Sequence, residues 1–195
     1  MGGPQVKRDT QRAKVYKAEG AAFDGYAEAC KRLETVAEVE GYVKYVFGLK
    51  RVQDAFPRAV PNALSGLGFG GYSLPTVGDG RGRRRAGGTV RGIVMPKWSR
   101  KKWVVLHELA HTVSMRIFGF GIAGHGWEYC STYLLLVRYT LGVEAHDLLK
   151  KSFKEHRVKF RAPRKRREIS VEKRVALIER MAIARAAKAA RELSL

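Results

Sequence analysis

The residues best suited to chemistry are five consecutive positions, His107-Glu108-Leu109-Ala110-His111, which form an HExxH sequence. Residues four positions apart on an α-helix lie on the same face, so His107 and His111 can both place an imidazole nitrogen on one metal ion. Glu108 is turned about 100° around the helix from His107, which puts it beside the metal rather than on it. There a carboxylate can take a proton from a metal-activated water. The spacing predicts two metal ligands, His107 and His111, and one catalytic base, Glu108.

A catalytic zinc ion needs a third protein ligand, and two later residues qualify for that role. Zinc combines two imidazoles with one more nitrogen or oxygen ligand and keeps an open position for water. His125 lies 14 residues after His111, beyond a glycine-rich stretch that lets the chain turn back. Glu128 lies 17 residues after His111 and is the alternative ligand, or a partner that orients His125 from behind. We therefore expect Zn²⁺ as the cofactor, with His125 favoured over Glu128 as the third ligand.

Two segments also resemble a known family. Residues 104–111, VVLHELAH, and residues 124–129, GHGWEY, together with the helix that follows them, resemble the zinc metallohydrolases of actinobacterial phages and their hosts. The similarity covers about 60 residues, and a more distant one links them to the SprT-like zinc metalloproteases. The resemblance implies a minimal zincin-like core in which His107, His111 and His125 hold zinc and Glu108 is the base. It implies no particular substrate.

The segments around the motif predict the elements that must position it. Residues 89–95 alternate as a β-strand does, and the glycines before them favour loops and short strands. A helix is expected over 100–118, where Gly119 supplies a stop, and another over 127–141 after the glycine loop. The predicted fold class is therefore α+β, mainly helical, with a small sheet whose edge strand precedes the HExxH helix. An extended peptide substrate is expected to pair with that edge strand.

The chain is strongly basic, with 38 Lys and Arg residues against 18 Asp and Glu residues and a formal net charge of +20. That charge favours a polyanion, DNA or RNA, as a partner, bound mainly through its phosphates. The predicted division is a flexible basic arm over 1–22, a metallohydrolase domain over 23–160, and a basic linker with an amphipathic helix over 161–195. The candidate phosphate contacts are Arg83, Arg84, Arg85, Arg164, Lys165, Arg166 and Arg167.

The function expected from these features is zinc-dependent hydrolysis, above all of peptide bonds in nucleic-acid-associated protein. The alternative is a nucleic-acid-binding protein whose zincin-like core is structural or inactive. Two cysteines 100 positions apart, no apolar leader near the start and no apolar run of spanning length favour the cytoplasm, that of a bacterial host if a phage encodes the chain. Neither the substrate nor the oligomeric state follows from the sequence. A second group is expected to hold the oxyanion, from among Tyr129, Tyr133, Arg138 and His146.

Overall fold

A computed structural model describes residues 7–61, 71–163, 175–176 and 178–185. It divides the chain into two units between Ala162 and Pro163. The predicted α+β class, mainly helical with a small sheet, is confirmed in the first unit. The helices are α1 (Arg12–Phe23), α2 (Ala27–Cys30), α3 (Val36–Gly48), α4 (Lys50–Ala55), α5 (Lys102–Phe118), α6 (Trp127–Thr140) and α7 (Val143–Glu155), and the strands are β1 (Thr76–Asp79), β2 (Gly87–Gly88) and β3 (Gly92–Met95).

The small sheet is mixed, and its strands lie in the order β1-β3-β2. β1 pairs with β3 in parallel, with Thr76 opposite Gly92, and β2 pairs with β3 antiparallel, with Gly88 opposite Ile93. The prediction of 89–95 as an edge strand is therefore wrong, because β3 is the central strand. Its residues Ile93 and Met95, two positions apart and therefore on one face of the strand, are buried in the core. Within the described residues, β2 is the strand next to β3 on the side of α5.

The HExxH helix, α5, is the central helix of the fold. It packs against α6, β3, β2 and α2. Its residues Leu106, Leu109 and Val113 are fully buried, which anchors the helix over two turns. The helix ends at Phe118, and Gly119 follows with φ +79°, a conformation that glycine adopts without strain. The predicted stop at Gly119 is thus confirmed.

The structure differs from the expected flexible arm over residues 1–22, because Arg12–Phe23 form a helix that buries one face and packs on α7. Val15 and Ala18 on its inner face are fully buried. The Ser152 hydroxyl on α7 donates to the Ala18 carbonyl at 2.8 Å, which fixes the two helices together. The small residues on this face, which made the segment look poor in core-forming groups, are what allow so close a helix contact.

The second unit is described in part. Residues 175–176 and 178–185 are helical, within the range predicted for a basic C-terminal helix. The run Arg164, Lys165, Arg166 and Arg167, predicted to contact phosphates, lies outside the described residues. None of the helices in the described ranges combines the length and apolarity needed to cross a bilayer.

Candidate metal centre

The two histidines of the HExxH sequence meet the third predicted histidine at one point. The Nε2 atoms of His107 and His111, one turn apart on α5, are 3.3 Å apart. His125, in the loop before α6, places its Nε2 atom 3.4 Å from that of His107. The ligating atoms of all three lie within 4.8 Å of one another, and in the described part of the chain no other such group of histidines, cysteines or acids exists. We call these three residues the histidine cluster.

Two carboxylates, a buried one at Glu19 and a partly buried one at Asp9, hold the cluster from behind. Glu19 on α1 accepts a hydrogen bond from Nδ1 of His107 at 2.6 Å, and Asp9 accepts one from Nδ1 of His125 at 2.7 Å. Because a carboxylate accepts and does not donate, the hydrogen lies on Nδ1 in both rings, and each Nε2 keeps a free lone pair. Carboxylates in this position orient histidine ligands and raise their basicity.

The geometry of the cluster fits a metal ion. Two Nε2 lone pairs that face each other across 3.4 Å repel unless a cation lies between them. Nitrogen ligands at about 2.0–2.1 Å from a tetrahedral zinc ion lie about 3.3 Å apart, close to the separations seen here. Three imidazoles are also the donor set of catalytic zinc sites, whereas calcium and magnesium prefer oxygen ligands. His107, His111 and His125 would therefore hold the metal.

Burial and mutual repulsion govern the protonation of the cluster. Burial, together with the charges of His107 and His125, holds the pKa of His111 well below its usual value. Burial also lowers the pKa of His125 to about 4, although Asp9 acts in the opposite direction. For His107, burial is outweighed by the charge and hydrogen bond of Glu19, so its pKa is raised. His111 and His125 are therefore neutral near pH 7, the form that binds metals.

Glu108 lies outside the cluster, as its place on the helix predicts. It is 6% exposed and lines a cavity of about 420 Å³ that His107 also lines. Burial and the nearby charge of Glu19 raise its pKa, against the opposing effects of His107 and the Gly88 backbone amide. A carboxyl group in such a setting accepts a proton more readily than one on the surface. Its position beside the cluster and at the cavity suits a general base.

Glu128 does not take part in the cluster, either as a ligand or as the partner of His125. Its carboxylate pairs with Lys7 at 3.8 Å, and the group of potential ligands in the described residues does not include it. An ideal Cβ built on Gly126 would lie 2.6 Å from Glu128 Oε2, so the carboxylate folds back over the start of its own helix. Asp9, not Glu128, holds His125.

The four residues expected to hold an oxyanion do not line the cavity, although Tyr129 packs against the histidine cluster. The Tyr133 hydroxyl donates to the Trp103 carbonyl at 3.2 Å, and His146 pairs with Asp147 at 2.8 Å. Arg138 is exposed on α6. The Tyr129 ring packs 4.3 Å from the His111 ring between centroids, but its hydroxyl is buried without a hydrogen-bond partner among the described residues. None of these four lines the cavity.

Tyr16 is the phenol that lines the cavity. Its ring centroid lies 5.5 Å from that of His107 and 5.2 Å from that of His125, and half of the residue is exposed. Sequence reasoning missed Tyr16, Asp9 and Glu19 together, because all three belong to the segment taken as a flexible arm. The available signal was the recurrence of Val15, Ala18, Ala22 and Phe23 at helical spacing.

The basic residues of the loop before β2 are placed differently from one another. Arg83 and Arg84 are exposed and do not line the cavity, whereas Arg85 forms part of its wall. All three residues are exposed, and Arg85 is the one that shares the cavity wall with Glu108 and His107.

Comparison with protein-family models, curated proteins and solved structures found no match to this chain.

Gly88 allows the sheet to approach the site. An ideal Cβ at this position would lie 2.3 Å from the Glu108 carbonyl oxygen and 3.0 Å from His111 Cβ, whereas one at Gly87 meets nothing within 4 Å. Replacing Gly88 with alanine must therefore shift β2 or α5. We expect Gly88→Ala to lower the free energy of unfolding by about 1–3 kcal/mol relative to Gly87→Ala, and to weaken metal binding. Urea unfolding and zinc titration of both variants measure this, and equal values for the two would contradict the packing described.

Proposed function

We propose that this protein is a zinc-dependent hydrolase, a metallopeptidase that uses a zinc-activated water. The observation that supports the proposal most is the convergence of three Nε2 atoms, His107 with His111 at 3.3 Å and with His125 at 3.4 Å, next to Glu108 at an open cavity. A structural zinc site is closed by four protein ligands, whereas three ligands beside a cavity leave a position for water and substrate. The arrangement therefore favours catalysis over a purely structural site.

The zinc ion, when bound, would supply a water of lowered pKa and an electrophile that polarises the substrate carbonyl. Glu108 would take the proton of the attacking water and return it to the nitrogen of the leaving group. Glu19 and Asp9 would keep His107 and His125 in the ligating tautomer throughout. Tyr16 on the cavity wall is the donor that we assign to the developing oxyanion.

The sheet suggests where an extended substrate lies. Because β3 already pairs with a strand on each side, a substrate cannot pair with it as the sequence predicted. The edge of the sheet next to β2 is the position that we propose for an extended substrate instead. Ala86, directly before β2, lines the cavity, and Gly88 within β2 contacts α5 closely. A peptide added at this side would run past Glu108.

The wider setting of the activity is also a proposal. The net charge of +20 and the exposed Arg83 and Arg84 support action on protein associated with DNA or RNA. Cys30 and Cys130 are both free thiols, which supports a reducing compartment such as a bacterial cytoplasm.

Metal content is the first test of this function. Elemental analysis of the full chain, freed of nucleic acid, is expected to give about one zinc per chain, and His125→Ala is expected to lose most of it. His146→Ala, which removes a histidine that pairs with Asp147, is the matched control and is expected to keep its zinc. Zinc-loaded protein is then assayed against quenched fluorescent peptides. Absence of zinc from the parent, even after zinc is offered, would overturn the proposal, and so would zinc-loaded protein that cleaves no peptide.

A further inference from the structure

The cavity beside the histidine cluster has a charge pattern that the hydrolytic chemistry does not use. Three cations line it, Arg12, Arg85 and Lys101. Arg12 pairs with Asp9 at 3.3 Å. Arg85 and Lys101 have no carboxylate within ion-pair distance among the described residues. The cavity therefore presents two cations without a protein partner.

The acidic groups of the cavity are already engaged. Glu19 is hydrogen-bonded to His107 at 2.6 Å, and Glu108 is the proposed base. Three cations line the cavity against the two carboxylates of Glu19 and Glu108, and a bound zinc ion would add to this excess, so the charge balance favours an anionic ligand over a neutral or cationic one.

The rest of the cavity wall is apolar and aromatic. Trp98, Trp103 and Val104 line it together with Tyr16. Such a wall buries the carbon atoms of a ligand while a few polar groups fix its orientation. A volume of about 420 Å³ lies at the lower end of the range for small-molecule sites, so it suits a short piece of a peptide rather than a duplex nucleic acid.

We infer that this cavity is a specificity subsite for a substrate carboxylate, held by Arg85 and Lys101 next to the scissile bond. The inference rests on the proposed peptidase function and names its substrate class, an acidic peptide segment. The carboxylate is either an Asp or Glu side chain or a free C-terminus, and both present the same group to a guanidinium and an ammonium.

Binding to an inactive variant tests the inference without requiring turnover. The probes are fluorescein-labelled octapeptides that differ only in a central Glu or Gln, each with a free or amidated C-terminus. Fluorescence polarisation with zinc-loaded full-length Glu108→Gln protein measures their affinities. We expect the carboxylate-bearing peptide to bind roughly tenfold more tightly or better, as charge-assisted hydrogen bonds predict. Preference for central Glu identifies a side-chain subsite, preference for the free terminus identifies a terminal one, and no preference overturns the inference.

A second experiment tests the roles of Arg85 and Lys101, with Arg81 and Lys97 as a control pair that carries the same charge. Adding Arg85→Gln and Lys101→Gln to the inactive protein is expected to abolish the preference. Adding Arg81→Gln and Lys97→Gln, which are exposed and do not line the cavity, removes the same net charge and is expected to preserve it. Equal loss of preference in both variants would show a general charge effect and overturn the subsite.

Failure of the inference and failure of the proposed function are distinguishable. If the active parent cleaves Glu and Gln peptides alike and its inactive form binds them alike, the subsite is wrong and the peptidase function stands. If the preference is present but no peptide is cleaved, the function is wrong and the carboxylate site stands.

Discussion

Replacing Glu108 with glutamine is expected to lower kcat for peptide hydrolysis by roughly 10²–10⁴-fold, the contribution of a general base. The amide keeps the size of the side chain but does not accept the proton of the attacking water. Zinc content is expected to stay at the parent value, because Glu108 is not among the three residues whose ligating atoms converge. The combination of lost turnover and retained metal is the signature of a base beside a metal. Steady-state kinetics and elemental analysis on the same preparation measure both.

Glu128→Gln is the control for this prediction, since Glu128 follows His125 by three residues and pairs with Lys7 instead of joining the cluster. It is expected to retain both zinc and turnover, and loss of zinc would restore Glu128 as a ligand. The same pair of variants separates the two functions that the sequence suggests. If the protein only binds nucleic acid and its core is inactive, Glu108→Gln is expected to leave its affinity for DNA or RNA unchanged. An unchanged kcat in Glu108→Gln would refute the role of the base.

Replacing Glu19 with glutamine is expected to weaken zinc binding by about 10–100-fold, the usual effect of losing the partner behind a histidine ligand. Glu19 is 1% exposed and accepts from His107 at 2.6 Å, so its carboxylate fixes the tautomer of that ring. Glutamine lacks the negative charge, and His107 becomes a poorer donor to the metal. Competition for zinc with a chromophoric chelator at fixed pH measures the change.

Glu40→Gln, on the exposed face of α3, is the matched control and is expected to bind zinc as the parent does. Thermal unfolding in the absence of metal distinguishes a weaker site from a protein that has lost its fold. Asp9→Asn should behave as Glu19→Gln does, because Asp9 supports His125 in the same way at 2.7 Å. A folded Glu19→Gln protein with the zinc affinity of the parent would contradict the orienting role.

The sequence predicted the local parts of the site well. His107, Glu108 and His111 lie on one helix, where periodicity alone fixes which side chains share a face. The end of that helix at Gly119 could also be predicted locally, because glycine is the residue that adopts a positive φ, here +79°, without strain. The approach of His125 was a weaker prediction, because a loop of glycines permits a return of the chain without specifying it.

Two parts of the fold differ from what the sequence predicted. The strand before the motif looked like an edge strand, but β1 and β2 flank it, and strands of two to four residues among glycines carry too short a pattern to show which strand is central. The first helix looked like a loose arm, because its buried face uses small residues such as Ala18 and Ala22. The stability of this short helix comes from its packing on α7, which the local sequence does not show.

By itself, the sequence of this protein determined a mainly helical α+β chain with a strong positive charge and a helix that presents two imidazoles and a carboxylate at fixed angles. Those features depend on the overall composition and on the periodicity within single segments, and neither requires knowing which segments pack together. Only the tertiary structure decided that Asp9 and Glu19 stand behind His125 and His107, that Gly88 brings β2 against α5, and that Arg85 and Lys101 line one cavity. Each of these joins residues distant in sequence, and such contacts are set by the packing of whole elements rather than by any pattern within one of them.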